Sequence, residues 1–201
     1  MSSSESERSK GPRGRLIVIS GPSGTGKTSV CQALLEQLPR TLWSVSVTTR
    51  PKRAGEADAG CYEFVTREVF EQRAAAGEFL ENAEYIGERY GTPHRPVDSA
   101  LAQGCNVVME IDVQGGMQVA AKVPDSVRIF LLPPDRDSLR ARLEGRKTEA
   151  KEQLAKRLAK ADGEIATARD SGCYHHFVVN DCLETTIEEV KSIILKESGS
   201  V

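Results

Sequence analysis

The segment that most restricts the fold is Leu16-Ile-Val-Ile-Ser20 followed at once by Gly21-Pro-Ser-Gly-Thr-Gly26-Lys27-Thr28. An apolar, β-branched run without polar alternation suits a strand buried on both faces, so it predicts a central parallel strand. The next eight residues fit G-x-x-x-x-G-K-[ST], the phosphate loop. They open into Lys27 to Leu38, where Val30, Leu34 and Leu38 share one helical face before Pro39 ends the pattern. In this order, strand, Gly-rich loop and helix turn successive backbone N–H groups into one hollow at the positive end of the helix. Lys27 is then placed for the β- and γ-phosphates, and the Thr28 hydroxyl for a magnesium position. A chance glycine turn lacks this context, so a nucleoside triphosphate site is expected. The phosphoryl acceptor stays open, because GTPases, motor ATPases and small-molecule kinases all use the loop.

The rest of the chain extends an α/β pattern. Val107 to Ile111 and Arg128 to Leu132 repeat the buried-strand signature, and Trp43 to Thr49 and His176 to Val179 are further extended runs. Helices are expected over Arg67–Ala76, Asp135–Arg169 with a break near Gly145, and Glu184–Lys196. Glu81 to Tyr90 alternates polar and apolar residues around Gly87, like a small antiparallel sheet. Composition then excludes several classes. With 27 basic and 29 acidic residues in 201, a net charge of -2 argues against a general nucleic-acid or anionic-membrane binder. No apolar run approaches the roughly 18 residues of a membrane span. Met1 to Gly14 is polar and charged, which predicts a solvated tail rather than a secretory signal. The 5 cysteines are scattered without a Cys-x-x-Cys pair, and His175-His176 stand far from His94. Reduced thiols in a cytoplasmic protein are expected, not a disulfide frame or a zinc site.

Two regions carry further chemistry. Arg50 and Arg53 lie three residues apart in the Gly- and Pro-rich loop after the Trp43–Thr49 run. That is the carboxyl edge, where open α/β sheets bind ligands, and guanidinia so placed suit one phosphate as forked donors. Between Arg136 and Lys160 nine basic residues face four acidic ones. Taken alone, that bias suits a solvated helical face.

The motif order as a whole resembles guanylate kinases. It runs from the phosphate loop through Ser44-Val-Ser46-Val-Thr-Thr-Arg50-Pro-Lys-Arg53-Ala-Gly-Glu56, Gly60-Cys-Tyr62-Glu-Phe64 and Gly77-Glu-Phe-Leu-Glu81. It continues with Tyr90-Gly-Thr92, Glu110-Ile-Asp112-Val-Gln-Gly115, Arg142-Leu-Glu-Gly-Arg146 and Val179-Asn180-Asp181, covering about residues 15–197. The resemblance implies a P-loop nucleoside monophosphate kinase fold with three layers, a central parallel sheet, a small mixed nucleotide-binding subdomain and a helical lid. It divides one domain, 15–198, into a core (15–48, 96–135 and 170–198), a GMP-binding part (about 49–95) and a lid (about 136–160), after a disordered tail, 1–14.

Residue by residue, the resemblance implies that Gly21, Pro22, Ser23, Gly24, Thr25, Gly26, Lys27, Thr28 and Ser29 hold ATP, with Asn180 beside its adenine. Arg50, Arg53, Tyr62 and Tyr90 would hold the acceptor monophosphate. Ser46, Glu81 and Thr92 would read guanine, with Asp112 near the base and the water shell of Mg2+, whose direct ligand is Thr28. Lys27, Arg50, Arg142, Arg146 and Arg157 would carry catalysis, the last three from a closing lid. Lys147 departs from the glycine common at that place, which bears on the lid hinge. The physics of the base site agrees: guanine N1–H and N2–H2 are adjacent donors that one carboxylate accepts together, whereas adenine leaves that carboxylate unpaired. The expected reaction is MgATP plus GMP to ADP plus GDP in purine nucleotide metabolism, with ATP and GMP as partners and a monomer or homodimer as the assembly. A related kinase with another acceptor is disfavoured by Ser46, Glu81 and Thr92 together. A phosphopeptide-binding scaffold domain is disfavoured because Lys27 and the lid arginines are kept.

Overall fold

The computed structural model describes residues 13–52, 62–85, 87–144 and 151–198. Expectations placed on Met1–Pro12, Arg53, Cys61, Arg146 and Lys147 lie outside them. In chain order the elements begin with β1 (Leu16–Ser20), α1 (Lys27–Gln37), β2 (Thr41–Trp43), β3 (Ser46–Thr48), β4 (Tyr62–Phe64) and α2 (Arg67–Ala75). Next come β5 (Phe79–Tyr85), β6 (Glu88–Pro93), α3 (His94–Ala102), β7 (Asn106–Glu110), α4 (Val113–Lys122) and β8 (Val127–Leu132). The chain closes with α5 (Arg136–Glu144), α6 (Lys151–Asp170), β9 (His176–Val179) and α7 (Leu183–Ser198).

Five strands in the order β2-β7-β1-β8-β9 form a parallel sheet, with β1 at its centre as its apolar run predicts. Side-chain alternation sorts β1 onto two faces. Ile17 and Ile19 pack with Val30 and Leu34 of α1 and Val190 and Ile194 of α7. Leu16 and Val18 pack with Leu101 of α3 and Val119 of α4. The result is a three-layer α/β body. Each such buried side chain contributes about 1.5–3 kcal/mol, so this double core dominates the stability.

A second, mixed sheet has the order β4-β3-β6-β5. Its described apolar cluster is small: Val47, Phe70 and Phe79, with the two phenyl rings stacked at 4.6 Å. The alternation of Glu81 to Tyr90 does form a hairpin, β5 with β6, with Gly87 in its turn at φ 78°.

Three differences from expectation have physical causes. The Trp43–Thr49 run is not one strand. Thr41–Trp43 pairs with β7 in the large sheet, Ser44 N still reaches Val108 O (2.9 Å), and Ser46–Thr48 then pairs with β4 and β6. An extended chain passes between sheets without a glycine or proline to mark the step. Ser46–Thr48 therefore belongs to the small sheet, not to the core span 15–48. Gly14, expected in the tail, is tied in by its N–H to Leu101 O (2.9 Å). Helices α3 and α4 were hidden, one by Pro96 in its first turn, where proline is tolerated, and the other by Gly115-Gly116.

Candidate active site

A cleft of about 470 Å³ opens at the carboxyl edge of the parallel sheet, between the phosphate loop and the small sheet. The loop's curl depends on Gly26, the residue that caps α1 at φ 83°, a left-handed backbone that side-chain-bearing residues disfavour. A Cβ there would also stand 2.4 Å from Asn180 Nδ2. Asn180 is buried behind the loop, where its Nδ2 donates to Thr25 O (2.7 Å) and its Oδ1 accepts from Thr186 (3.1 Å). Within the loop, the buried Thr25 hydroxyl donates to Pro22 O (2.8 Å). Lys27 Nζ donates to Gly21 O (2.7 Å) and Pro22 O (3.0 Å). Burial pulls its ammonium below the ordinary lysine value, with Glu110 and Glu164 opposing the shift. Ser23, Gly24, Thr28 and Ser29 line the cleft.

Strand β7 lies beside β1, with Glu110 in register with Ile19. This brings Glu110 Oε1 within 3.0 Å of the Thr28 hydroxyl, which donates to it. Asp112 caps α4 by accepting from Gly115 N (2.9 Å) and also lines the cleft. A hydroxyl and two carboxylates at one loop are hard oxygen donors, the set that Mg2+ prefers.

The opposite wall belongs to the small sheet. Glu81, on β5, is 4% exposed, and its Oε1 accepts from the Thr92 hydroxyl on β6 (2.7 Å). Thr92 in turn lies 3.2 Å from the Ser46 hydroxyl on β3, so three strands assemble one polar cluster. Burial pushes the Glu81 carboxyl up to about 7; the Thr92 hydrogen bond and Lys122 oppose the rise, and Asp112 adds to it. Thr92 is fully buried behind the pair, while Ser46 and Glu81 face the cleft. Beside them stand Arg50, Tyr62 and Tyr90. The Arg50 guanidinium rests 5.4 Å from the Tyr62 ring centre and 5.3 Å from that of Phe64, and the Tyr62 and Tyr90 rings meet edge-on at 6.2 Å.

Helices α5 and α6 close the cleft's rim around their own cluster of Leu139, Leu143 and Ala161. Arg157 Nη2 donates to Ser23 Oγ in the loop (2.7 Å), and Arg142 Nη2 donates to Asp181 O (3.3 Å). Of the described residues expected at the two sites, Gly21, Ser23, Gly24, Gly26, Lys27, Thr28, Ser29, Ser46, Arg50, Tyr62, Glu81, Tyr90 and Asp112 line this one cleft, and Thr25, Thr92 and Asn180 are buried behind it. Arg157 reaches the loop at Ser23, whereas Arg142 does not line the cleft and bonds Asp181 instead. Sequence reasoning passed over six cleft residues, Trp43, Ala83, Tyr85, Glu110, Ile111 and Glu164. Glu110 carried a usable signal, an acid at the carboxyl end of an apolar strand. Trp43, Tyr85 and Glu164, which also line the cleft, carried none. Glu164, on α6, is held above the usual carboxylate range by burial, with Lys160 and Lys27 opposing.

One cleft carries a phosphate loop on one wall and the polar cluster of Ser46, Glu81 and Thr92 on the other. That is the architecture of the P-loop nucleoside monophosphate kinases, enzymes that pass a phosphoryl group between nucleotides. The family model described as guanylate kinase matches residues 13–197. A guanylate kinase of Symbiobacterium thermophilum is 46% identical over 188 residues, 94% of this chain and 88% of that one. One of Streptococcus pyogenes is 48% identical over 186 residues, 92% of this chain and 87% of that one. The crystal structure of guanylate kinase from Anaplasma phagocytophilum superposes with a TM-score of 0.77 at 31% identity, covering 94% of this chain and 88% of that one. The chain belongs to the guanylate kinase family. Among the described residues, no helix is long and apolar enough to cross a membrane.

Proposed function

We propose that the cleft transfers the γ-phosphoryl group of MgATP to GMP, giving ADP and GDP, as expected of an enzyme of this family. The observation that carries the acceptor assignment is Glu81: a buried carboxylate at the far end of a phosphate-loop cleft, with Oε1 held by Thr92. Its oxygens suit the adjacent N1–H and N2–H2 donors of guanine, and the Ser46 hydroxyl adds a contact to the same base. Arg50, Arg53, Tyr62 and Tyr90 hold the acceptor phosphate, and Asp112 stands between base and metal. On the donor side the backbone from Gly21 to Ser29 cradles the phosphates, and Asn180 fixes the loop's shape from behind. Lys27 exchanges its two loop carbonyls for phosphate oxygens.

Thr28 would hold Mg2+ directly, with Asp112 and Glu110 on its water shell. The ion supplies neutralisation of charge on the β- and γ-phosphates. The transferring group is loose and anionic, so catalysis is positioning plus charge stabilisation, supplied by Lys27, Arg50, Arg142, Arg146 and Arg157. The described cysteines are free thiols, which suits a cytoplasmic enzyme. It would serve purine nucleotide metabolism and GMP recycling as a monomer or homodimer. The deciding experiment is coupled ADP release with GMP, AMP, CMP and UMP as acceptors. GMP is expected to be preferred by at least about 10²-fold in kcat/KM. Equal rates with AMP overturn the assignment.

A further inference from the structure

Strand β5 is an edge of the small sheet: β6 takes one side of it, and α4 covers the other. An edge strand leaves backbone donors and acceptors unpaired, and here side chains of a helix complete them. Gln118 Oε1 accepts from Asn82 N (3.1 Å), and Gln118 Nε2 donates to Asn82 O (2.8 Å). One helical turn later, Lys122 Nζ donates to Phe79 O (3.2 Å) and Leu80 O (2.7 Å). The residue between these two grips is Glu81. Its side chain is set by the same helix, since a Cβ on Gly115 would stand 2.7 Å from Glu81 Oε2.

We propose that Gln118 is a positioning residue for base recognition, fixing the Glu81 carboxylate at the distance and angle that guanine requires by gripping β5 at Asn82. The inference rests on the GMP-accepting function proposed above. Helix α4 starts at Asp112, directly after β7 of the large sheet. Through Gln118 the large sheet therefore sets where the base-reading carboxylate sits. The small sheet's three-residue apolar cluster lies around Val47, Phe70 and Phe79 and does not hold the Asn82 side of β5. Among the described residues, the hydrogen bonds of Gln118 and Lys122 go to β5 and not to the phosphate loop, so loss of the grip acts on one substrate only.

The test uses the full chain and Gln118→Met, which keeps the side chain's length and removes both hydrogen bonds. The quantities measured are kcat, KM for ATP, KM for GMP, and the preference for GMP over IMP, which lacks the N2 amine. KM for GMP is expected to rise about tenfold, because small misplacements of a recognition group have large effects. The GMP/IMP preference should shrink severalfold, while KM for ATP and kcat at saturation stay within about twofold. Should Gln118→Met not fold, Lys122→Met, which removes the grip on the other side of Glu81, reads the same quantities with the same expectation. An unmoved GMP/IMP preference overturns the proposal, as does a parallel rise in both KM values with a falling melting temperature. A wild-type enzyme that does not prefer GMP to IMP sinks instead the function on which the inference rests.

Discussion

The phosphate loop and the pocket around Glu81 serve the two ends of one transfer and are made in opposite ways. The loop is eight consecutive residues whose backbone does the work, held between the central strand and the first helix. The pocket is three side chains from three strands, Ser46, Glu81 and Thr92, oriented by hydrogen bonds to one another and by helix α4. A contiguous backbone site inherits its geometry from secondary structure. An assembled side-chain site has only its neighbours to hold it, so single changes there alter selectivity while the fold persists. Each end also buries a charge against its preference: Lys27 is pulled down and Glu81 pushed up, both chiefly by loss of water.

The largest effect separating the two ends is expected at Lys27. Lys27→Ala removes the loop's only lysine and should reduce turnover at saturating ATP and GMP by at least about 10²-fold. Equilibrium binding of GMP should stay within about twofold, because among the described residues Lys27 bonds Gly21 O and Pro22 O and no residue of the Glu81 pocket. A parallel loss of GMP binding would mean that the ends are not independent. The mirror experiment is Glu81→Gln. The amide can keep an oxygen toward Thr92, but it then turns a donor toward guanine's donors. The unpaired contact should lower kcat/KM for GMP by about 10²-fold and narrow the GMP/AMP ratio, with KM for ATP nearly constant. Retention of the wild-type ratio would remove Glu81 from base recognition.

A smaller, graded effect follows from the acidity of Glu81. Only the carboxylate accepts both guanine donors, and its value near 7 means that protonation competes with GMP near neutrality. KM for GMP should rise about tenfold between pH 8 and pH 6, while KM for ATP follows a different, flatter course. The phosphate of GMP also titrates near pH 6, so the control is the residual activity of Glu81→Gln, whose profile should lack the component from Glu81. Identical profiles in the two proteins would assign the whole dependence to the substrate.

The same contrast explains what could be foreseen from the sequence. The central strand, the loop and the first helix were legible because residues close in sequence specify them. The hairpin of Glu81 to Tyr90 was legible from alternation. The switch of chain between sheets at Ser44 and Val45 was not, since both halves read as extended and the partner strands decide. Helix α4 was hidden because Gly115 and Gly116 are poor helix formers, retained where Glu81 and Tyr174 approach too closely for a side chain. Resemblance placed Thr92 and Asn180 against the nucleotides. The structure adds that Thr92 spends its hydroxyl on Glu81 and Asn180 its amide on Thr25, partnerships that only tertiary distances reveal.

The smallest predicted effect concerns stability and runs opposite to activity. In the unfolded chain Glu81 titrates near the ordinary glutamate value of 4.5; folding raises it to about 7. A carboxyl with a raised folded value favours folding while protonated, so its contribution is intact below about pH 4.5. It is lost as the pH climbs through 7, where the folded protein must carry a buried charge. The full penalty is about 3 kcal/mol at pH 8. Glu81→Gln keeps the shape and the Thr92 bond without the charge. It should therefore match wild type in melting temperature near pH 5 and exceed it by roughly 5–10 °C at pH 8, in the absence of nucleotide. Saturating GMP should raise the melting temperature of the wild type more than that of the variant, because only the carboxylate regains partners on binding. A melting-temperature difference that does not change from pH 5 to pH 8 would show that Glu81 carries no buried charge in the free protein. The assembled end of the cleft would then hold its guanine-reading group without stored electrostatic strain, leaving Lys27 and Glu164 as the cleft charges set against loss of water.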